Sequence, residues 1–311
     1  MINYLRTTTI WKELSLLKFR IKLFLYGEEW HEKRVFSTYA GYEPNLKNPK
    51  TLNEKMAWLK INYFEDFFRK CCDKYYLHEY LKEKLGKDIA PQLVFATKDI
   101  NDLTYKNINE FPCIVKVSNG SGANLIINNR DQFSEEYIQT FFKKGIFDSK
   151  LHAYNSLEHQ YSPTDAYIVV EKLLSDENGG IPNDYKFLCI NGKIEFIYCS
   201  VDRLGENVRQ VYDINWNRLH FIWVENANEM MFEKYEQSAS IPMPKNYEEM
   251  KRLASLIAKD FPLVRVDFYD AKEGLFIGEI TLHHGSAHDR FYPESYDLFY
   301  GEKLLLPSKN R

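Results

Sequence analysis

Residues 264–281 of the chain, VRVDFYDAKEGLFIGEIT, predict two apolar strands, 264–269 and 275–280, joined by a short polar turn. Because side chains alternate between the faces of a strand and paired strands lie about 5 Å apart, Asp267 and Glu279 can share one face of this hairpin. Ionised carboxylates among apolar residues are costly to bury without a charge partner. Two of them on one face suit a hard divalent cation such as Mg²⁺, whereas two that face solvent on an edge strand need no ligand. The residues alone favour neither arrangement.

A lysine and a loop of small residues indicate a phosphate-binding segment earlier in the chain. Lys116 lies inside the predicted strand 113–117, and the loop 118–122 (SNGSG) precedes a return strand that begins at Asn124. A lysine within an apolar strand must reach an anion or water, and small residues let backbone N–H groups approach phosphate oxygens. The segment therefore indicates a cover over a nucleotide triphosphate, without the GxxxxGK(S/T) spacing of a Walker A loop. A plain hairpin turn with an exposed lysine explains it equally well.

Two further segments carry candidate binding groups. Glu171 follows the apolar run IVV and could accept a hydrogen bond from the amine of an adenine ring, although a glutamate on an edge strand is commoner. Beside a predicted Asn-Gly hairpin, Lys186 alternates with apolar neighbours and can point into a cleft. Arg203, after the second strand of that hairpin, could clamp a phosphate or carboxylate with two parallel hydrogen bonds. A surface ion pair with Asp184 or Asp202 is the alternative for these cations.

The segment after the carboxylate strand, TLHHGSAHDR at 281–290, crowds three histidines, a Gly-Ser pair and Arg290 together. A zinc site would need a recognisable ligand spacing, and HHxxxH matches no metalloprotease signature. The hard carboxylates nearby favour Mg²⁺ over zinc. We interpret the segment as an anion- or substrate-binding loop.

Composition argues against several functional classes. The 311 residues are 44% hydrophobic with a formal charge of −3, so core-forming material is ample and no strong field would attract nucleic acid. Five cysteines without a CxxC pair indicate reduced, mostly buried thiols rather than a disulfide framework or a zinc site. No secretory signal and no apolar run of membrane-spanning length is visible. We therefore expect a cytoplasmic protein.

The amino-terminal segment 10–26 (IWKELSLLKFRIKLFLY) has a helical period, with basic residues among leucines and aromatics. A basic amphipathic helix can lie on a membrane surface, but a helix docked on its own domain is the commoner case. Helical patterns continue until Gly86, which predicts a helix end, and strands then predominate. This order predicts an α+β chain, with a helical amino-terminal region followed by two lobes built on antiparallel sheets.

In their shared order these segments resemble ATP-grasp enzymes, and specifically the TupA-like (teichuronopeptide biosynthesis) amidoligase family of polysaccharide gene clusters. The resemblance covers about residues 45–301. It rests on NPKTLNEKMAWLK (48–60), DKYYLHEYLKEKLG (73–86), FPCIVKVSNGSGANLI (111–126), VVEKLL (169–174), DYKFLCINGKIEFIY (184–198), DR (202–203), YDINWN (212–217), RVDFYD (265–270), GEIT (278–281) and the GSA turn (285–287).

The resemblance implies an ATP-grasp fold in which two α+β lobes with antiparallel sheets clasp ATP, with ATP and Mg²⁺ as cofactors. It implies a helical region leading into a partial pre-ATP-grasp lobe (1–88), a small lobe with a phosphate-covering hairpin (89–175) and a large lobe with metal-binding strands (176–311). The residues implied in ATP binding are Lys74, Lys116, Ser118, Asn119, Gly120, Ser121, Gly122, Glu171, Lys172, Leu173 and Leu174. The residues implied in catalysis are Lys186, Arg203 and Arg290. The residues implied in metal binding are Asp267, Glu279 and Thr281.

Two positions depart from the family pattern. ATP-grasp sites commonly place Asn two residues after the metal-bridging Glu, and here that position is Thr281, whose hydroxyl is a poorer cation ligand. This puts a second Mg²⁺ in doubt. The DKY segment of the family often continues with an Arg, where this chain has His78.

The resemblance implies a carboxylate–amine ligase that forms an amide through an acyl phosphate. The implied substrates are a uronic acid of a bacterial capsule or surface polysaccharide and an amino acid or amine, with peripheral contact to the membrane or to polysaccharide-assembly proteins. Two alternatives stay open. One is a metal-dependent glycosyltransferase, for which the chain offers DFYD at 267–270 in place of a DxD run. The other is a non-catalytic nucleotide-binding assembly protein.

Overall fold

The computed structural model describes residues 9–120, 122–161, 166–201 and 208–311, apart from the side chains of residues 9–13, 201 and 208. Two antiparallel sheets carry the middle and the carboxyl-terminal part of the chain, and helices precede and flank them. The prediction of an α+β protein with a helical amino-terminal region is confirmed.

The amino-terminal region carries the helices α1 (Thr9–Ala40), α2 (Leu52–Asn62), α3 (Phe67–Cys72) and α4 (Leu77–Leu85). A capping box begins α2: the Thr51 hydroxyl accepts from the Glu54 N–H, and the Glu54 carboxylate accepts from the Thr51 N–H. The helical pattern before Gly86 is interrupted, because Asp73 accepts from the Tyr75 N–H in a turn between α3 and α4. Gly86 ends α4 at φ 73°, as predicted.

The first sheet has the strand order β1-β4-β2-β3, with all neighbours antiparallel. Its strands are β1 (Leu93–Thr97), β2 (Cys113–Val117), β3 (Asn124–Ile127) and β4 (Ile168–Lys172). Helix α5 (Glu135–Ser156) packs on β2 over an apolar core. The register sets Lys116 opposite Val169 and Ile114 opposite Glu171. Lys116 and Glu171 therefore share one face of this sheet.

The second sheet has the order β10-β9-β5-β6-β7, again antiparallel. Its strands are β5 (Asp184–Ile190), β6 (Lys193–Val201), β7 (Val208–Tyr212), β9 (Leu263–Ala271) and β10 (Gly274–Thr281). The predicted Asn191-Gly192 hairpin joins β5 to β6, with both residues at positive φ (47° and 79°). β9 lies between β5 and β10, so its side chains adjoin those of two neighbouring strands.

Helices and a small sheet cover both faces of the second sheet. They are β8 (Ile222–Val224), β11 (Arg290–Tyr292), α6 (Glu229–Gln237), α7 (Tyr247–Ala258) and α8 (Ser295–Lys303). Phe187 and Val266 belong to the core shared with α7, and Leu188 and Phe196 to the core shared with α2 and α8. The strands of the first sheet precede residue 175 and those of the second follow it. The lobe bounds 89–175 and 176–311 stay a prediction.

A buried ion pair joins the amino-terminal helices to the rest of the fold. Lys60 of α2 and Glu32 of α1 are 2% and 0% exposed, and Lys60 Nζ lies 2.8 Å from Glu32 Oε1. The same ammonium donates to the carbonyl oxygens of Ser286 (2.7 Å) and Ser156 (3.1 Å). Burial acts to raise the pKa of Glu32, but the charge of Lys60 lowers it below its usual range. One lysine therefore ties α1, α2 and α5 to the turn 285–287.

We expect Lys60→Met to lower the free energy of unfolding by about 3–5 kcal/mol, because it leaves the Glu32 charge buried without its partner. Urea unfolding followed by circular dichroism measures the change. Lys245→Met, which breaks an exposed pair with Glu177, is the control and should leave the midpoint nearly unchanged. Similar midpoints for the two variants would contradict the structural role given to Lys60.

Candidate functional site

Asp267 and Glu279 lie directly opposite each other on β9 and β10, so they share one face of the hairpin. On its other side Asp267 lies opposite Lys186 of β5. The register shifts by one residue between Ile277 and Glu279, which leaves Gly278 unpaired and brings Glu279 opposite Asp267. A carboxylate, a second carboxylate and a lysine thus meet across three adjacent strands.

Asp267 is 1% exposed, and two cations match its charge. Arg265 binds it through two parallel hydrogen bonds, Nε to Oδ1 and Nη2 to Oδ2, each 2.7 Å long. Lys186 Nζ lies 2.7 Å from Asp267 Oδ2 and 2.5 Å from Asp184 Oδ2. Burial acts to raise the pKa of Asp267, but the charges of Arg265 and Lys186 hold it well below its usual range. Asp267 is therefore ionised at neutral pH.

Arg265 is a candidate site residue that the sequence reasoning did not single out. Besides binding Asp267, its Nη2 donates to the Thr281 hydroxyl (3.0 Å) and lies 3.6 Å from Glu279 Oε2. Its Nη1 lies 2.7 Å from His284 Nδ1. A signal for it was present, because charged residues two positions apart in an apolar strand point to the same face.

The acidic pair fits a cation that arrives together with a phosphate. Asp267 and Glu279 offer carboxylate oxygens on one face, and Mg²⁺ commonly takes one or two protein carboxylates and completes its shell with water and phosphate. Within the described ranges, no group of three or more His, Cys, Asp or Glu side chains is placed to hold a metal ion. The Thr281 hydroxyl accepts from Arg265, and both oxygens of Asp267 accept from Arg265 or Lys186, so a bound cation would share these oxygens with the existing donors.

An apolar cavity of about 350 Å³ lies against the first sheet and β9. Its lining is Pro91, Ile114, Lys116, Asn124, Leu125, Ile126, Glu171, Lys172, Leu173, Leu174, Ile181, Pro182 and Tyr269. Lys116 Nζ and Glu171 Oε2 form a buried ion pair there, 2.6 Å apart. The N–H groups of Lys172 and Leu173, predicted to hold adenine, donate to backbone carbonyls of neighbouring segments. The apolar walls would therefore supply most contacts with a base.

The small-residue loop after β2 is tied to the DKY segment. Ser118 is 0% exposed, and its hydroxyl donates to Asp73 Oδ2 (2.8 Å), so it stabilises the loop rather than facing a ligand. Gly120 has φ 128°, a conformation that favours glycine, and its carbonyl accepts from Lys74 Nζ (3.0 Å). Lys74 Nζ also lies 3.3 Å from Glu279 Oε1. Lys74 therefore connects the loop to the acidic pair.

The structure does not bring Arg290 to the charged cluster, the group formed by Lys186, Arg265, Asp267 and Glu279. Its Nε donates to the Tyr39 carbonyl (2.7 Å), and it lines a separate cavity of about 230 Å³. The physical reason is the turn 285–287, where three successive residues have positive φ and redirect the chain. The three histidines of this segment have different contacts: His283 with Gln160, His284 with Asp289 and with Arg265, and His288 with Glu32.

Of the remaining predicted site residues, Arg203 and Ser121 lie outside the described residues. Asn119 is buried in the loop after β2. Gly122 is exposed there at φ 98°. Leu174 lines the apolar cavity.

A larger, polar cavity of about 600 Å³ adjoins the other end of the cluster. Arg265, Glu279 and Thr281 form part of its wall. The other lining residues are His31, Val35, Tyr39, His152, Asn155, Ser156, Glu158, Tyr161, Glu225, His283, Gly285, Ser286, His288 and Asp289. Since Tyr269 lines the apolar cavity and Arg265 the polar one, β9 connects the two.

Comparison with solved structures finds ATP-grasp ligases at low sequence identity. A D-alanine–D-alanine ligase from Bacillus anthracis complexed with ATP matches at 17% identity and a TM-score of 0.42, over 76% of this chain and 63% of that one. The ATP-grasp ligase PsnB complexed with a minimal precursor matches at 9% identity and 0.38, over 71% and 54%. An L-amino acid ligase from Bacillus licheniformis matches at 12% identity and 0.39, over 72% and 46%. This chain thus spans less than two thirds of each. No curated protein matches it.

A family model described as TupA-like ATPgrasp matches residues 54–305. That span contains the strands of both sheets and every residue of the charged cluster. Because the match covers most of the chain, we conclude that the chain belongs to the TupA-like ATP-grasp family and has its α+β fold.

Proposed function

We propose that the chain is an ATP-dependent carboxylate–amine ligase that forms an amide through an acyl phosphate. The observation that carries the proposal is the order of three side chains on one face of β9. Tyr269 lines the apolar cavity, Asp267 lies in the charged cluster, and Arg265 lines the polar cavity. At about 3.3 Å per residue these positions span roughly 13 Å. A nucleotide with its base in the apolar cavity would bring its last phosphate to the cluster, beside the second cavity.

In the proposed reaction a substrate carboxylate attacks the terminal phosphate of ATP and displaces ADP, and an amine then displaces phosphate from the acyl group. Both steps shift negative charge among phosphoryl oxygens. Arg265 and Lys186 are largely buried cations at the cluster, so they would stabilise this charge electrostatically. Lys116 would contact a phosphate nearer the base. Mg²⁺, when bound by Asp267 and Glu279, would supply further neutralisation.

Lys74 has a proposed role in closing the site. It contacts both the Gly120 carbonyl and the Glu279 carboxylate, so it links the loop after β2 to the strand that would bind the cation. A closed loop excludes water, which would otherwise hydrolyse the acyl phosphate. Lys74 would therefore protect the intermediate as well as contact ATP.

For the acid we propose a uronic acid of a bacterial capsule or surface polysaccharide, and for the amine an amino acid or another amine. The support is the resemblance to a family of polysaccharide gene clusters, which is analogy rather than geometry. Polysaccharide-assembly proteins are proposed partners on the same ground.

The glycosyltransferase alternative is disfavoured by the DFYD run. Asp270 lies three positions from Asp267 on the same strand, so the two carboxylates point to opposite faces. Asp270 Oδ1 instead accepts from Asn246 Nδ2 (2.6 Å) at the surface. The run therefore does not supply paired metal ligands.

The function is tested by a coupled ADP-release screen over uronic acids and amines, with mass spectrometry of the products. We expect ADP, phosphate and an amide. Asp267→Asn should lower the rate of ADP release by at least about 100-fold, because it removes the negative charge that Arg265, Lys186 and the proposed cation all bind. Asp270→Asn, on the opposite face of β9, is the control and should retain most of the activity. UDP release from a nucleotide sugar would support a glycosyltransferase, and ATP binding without turnover would support an assembly protein.

We expect Lys116→Met to weaken ATP binding, measured by isothermal titration calorimetry, by roughly 10- to 100-fold, since one hydrogen bond to a charged group is lost. The substitution also leaves Glu171 buried without a partner, so Lys116→Met with Glu171→Gln is the second variant. Recovery of full affinity in that double variant, or no loss in the single one, would remove Lys116 from the phosphate site. Lys87→Met, which breaks an exposed pair with Glu249, is the control.

We also propose that α1 attaches the protein to an anionic membrane surface on the cytoplasmic side. Its exposed apolar residues have the spacing of one helical face: Leu14, Leu17, Ile21, Phe24 and Leu25. The exposed cations Lys18, Arg20 and Lys22 flank that face, whereas Leu16 and Phe19 are buried. An apolar stripe bordered by cations fits the headgroup region of an anionic bilayer. Among the described residues, no helix is long and apolar enough to cross a bilayer.

Vesicle sedimentation tests this attachment. We expect binding to phosphatidylserine-containing vesicles that weakens with salt and falls at least about 10-fold when Ile21→Glu and Phe24→Glu are combined, because the apolar face is lost. Leu298→Glu, at an exposed apolar position of α8, is the control. Equal binding of the two variants, or binding to phosphatidylcholine alone, would contradict the proposal.

A further inference from the structure

A buried carboxylate lies in the wall of the polar cavity, away from the cluster on β9 and β10. Glu158 is 3% exposed, and its Oε2 accepts a hydrogen bond from the Ser286 hydroxyl (2.7 Å). Gln160 Nε2 lies 3.3 Å from its other oxygen. In the part of the chain that the structure describes, no lysine or arginine forms an ion pair with Glu158. The basic side chains in contact with it are His152 (3.4 Å) and His283 (3.9 Å).

Glu158 carries its charge in spite of burial. Burial acts to raise its pKa, but the hydrogen bond with His152 and the charge of Lys60 outweigh that effect and lower the pKa to about 2. An ionised carboxylate can accept about four hydrogen bonds. Glu158 therefore keeps capacity for a donor that enters the cavity.

The turn that presents Ser286 to Glu158 is strained. Gly285, Ser286 and Ala287 have φ of 52°, 54° and 70°, a region that is unfavourable for serine and alanine. Lys60 Nζ donates to the Ser286 carbonyl (2.7 Å) and holds the turn in place. Backbone strain of this kind persists where the surroundings enforce it, and it concentrates at ligand-binding positions.

The charge of the cavity wall indicates which substrate it accepts. Its acids are Glu158, Glu225, Glu279 and Asp289, against the single arginine Arg265 among the described lining residues. The Arg265 guanidinium is itself bound by Asp267. A predominantly acidic wall attracts a cation and repels a second anion.

Glu158 lines the same cavity as Arg265 and Glu279. The buried phenol of Tyr161 lines the same cavity, and its pKa is raised by burial first and then by the charges of Glu158 and Glu279. Both carboxylates therefore act on one side chain. A ligand held by Glu158 would therefore share one cavity with Glu279 of the acidic pair.

We propose that the polar cavity binds the amine substrate as an ammonium ion with Glu158 as its counterion, and that it favours a primary amine with no carboxylate beside the amino group. This inference rests on the proposed ligase function and narrows its amine. The acid substrate would occupy the Arg265 end, and the nitrogen would approach it from the Glu158 side. In the amide-forming step nitrogen bonds to the acyl carbon while the carbon–oxygen bond to phosphate breaks, and phosphate leaves with the electron pair. The nitrogen loses two protons, of which the phosphate keeps one and solvent takes the other.

A competition between two nucleophiles tests the proposal. The protein, ATP, Mg²⁺ and the acid found in the ADP screen are incubated with glycinamide and hydroxylamine together, and the amide and hydroxamate products are quantified by mass spectrometry. Hydroxylamine is small and largely uncharged at neutral pH, so it captures the acyl phosphate without a counterion. The product ratio does not depend on how much of a variant is folded.

We expect Glu158→Gln to lower the amide-to-hydroxamate ratio by roughly 10- to 100-fold, the range for one hydrogen bond to a charged group. Ser286→Ala, which removes the hydroxyl that orients Glu158, should lower it less. Glu236→Gln, whose carboxylate pairs with His220 outside the cavity, should leave the ratio unchanged. In a second series glycine replaces glycinamide. The amide-to-hydroxamate ratio should be higher with glycinamide than with glycine, because the acidic wall repels the glycine carboxylate. This difference between the two amines should be larger in the natural protein than in Glu158→Gln.

Three different results would contradict, one by one, the role of Glu158, the class of amine and the ligase function. An unchanged ratio in Glu158→Gln removes Glu158 from amine binding. A preference for glycinamide that is no larger in the natural protein than in Glu158→Gln overturns the class of amine. If the natural protein forms neither the amide nor the hydroxamate with any acid, both the ligase function and this inference are wrong.

Discussion

The ionised Asp267 carboxylate, buried in the middle of the second sheet, is the constraint on which the rest of the site depends. An uncompensated charge there would cost several kilocalories per mole, and the compensation comes from Arg265 and Lys186 on the same face. Because these cations lie on β9 itself and on the adjacent β5, the charges match only in the observed register. A slip of one residue would turn Asp267 into the apolar core beneath α7. The ion pairs that would serve the proposed chemistry therefore also specify the pairing of the strands.

One glycine couples the two cavities to this register. Gly278 is the residue left unpaired on β10, and its place in the sequence brings Glu279 opposite Asp267. A Cβ at Gly278 would lie 2.2 Å from the ring of Tyr269, so only glycine lets that ring cross the strand. Tyr269 lines the apolar cavity and Glu279 lines the polar one. The same residue thus positions one wall of each.

The sequence predicts parts of the fold that depend on local patterns, but not the register of the acidic pair. Regular alternation along β9 and β10 would place Gly278 opposite Asp267, and the register shift at Gly278 is what brings Glu279 to that face. The sequence does indicate the β5–β6 hairpin, through its Asn-Gly pair. It does not predict contacts between distant segments, because no local pattern records them. The pairing of Lys60 with Glu32 and the contact of Ser286 with Glu158 are of this kind. The prediction that Arg290 belongs to the site was wrong for a related reason. The turn 285–287, with three residues at positive φ, sets the direction of the chain that carries Arg290.

The charges between the apolar cavity and the polar cavity give the site a polarity that would order the proposed substrates. Lys116, Lys186 and Arg265 lie from the apolar cavity to the edge of the polar one, where a triphosphate and an acid need cations. Beyond Arg265 the wall is acidic, and an anion has less to gain there than an ammonium ion. An acid and an amine would therefore enter neighbouring positions without competing for one. Arg265 lies at the boundary because Asp267 holds it there, and in the proposed reaction the reacting carbon would lie beside that pair.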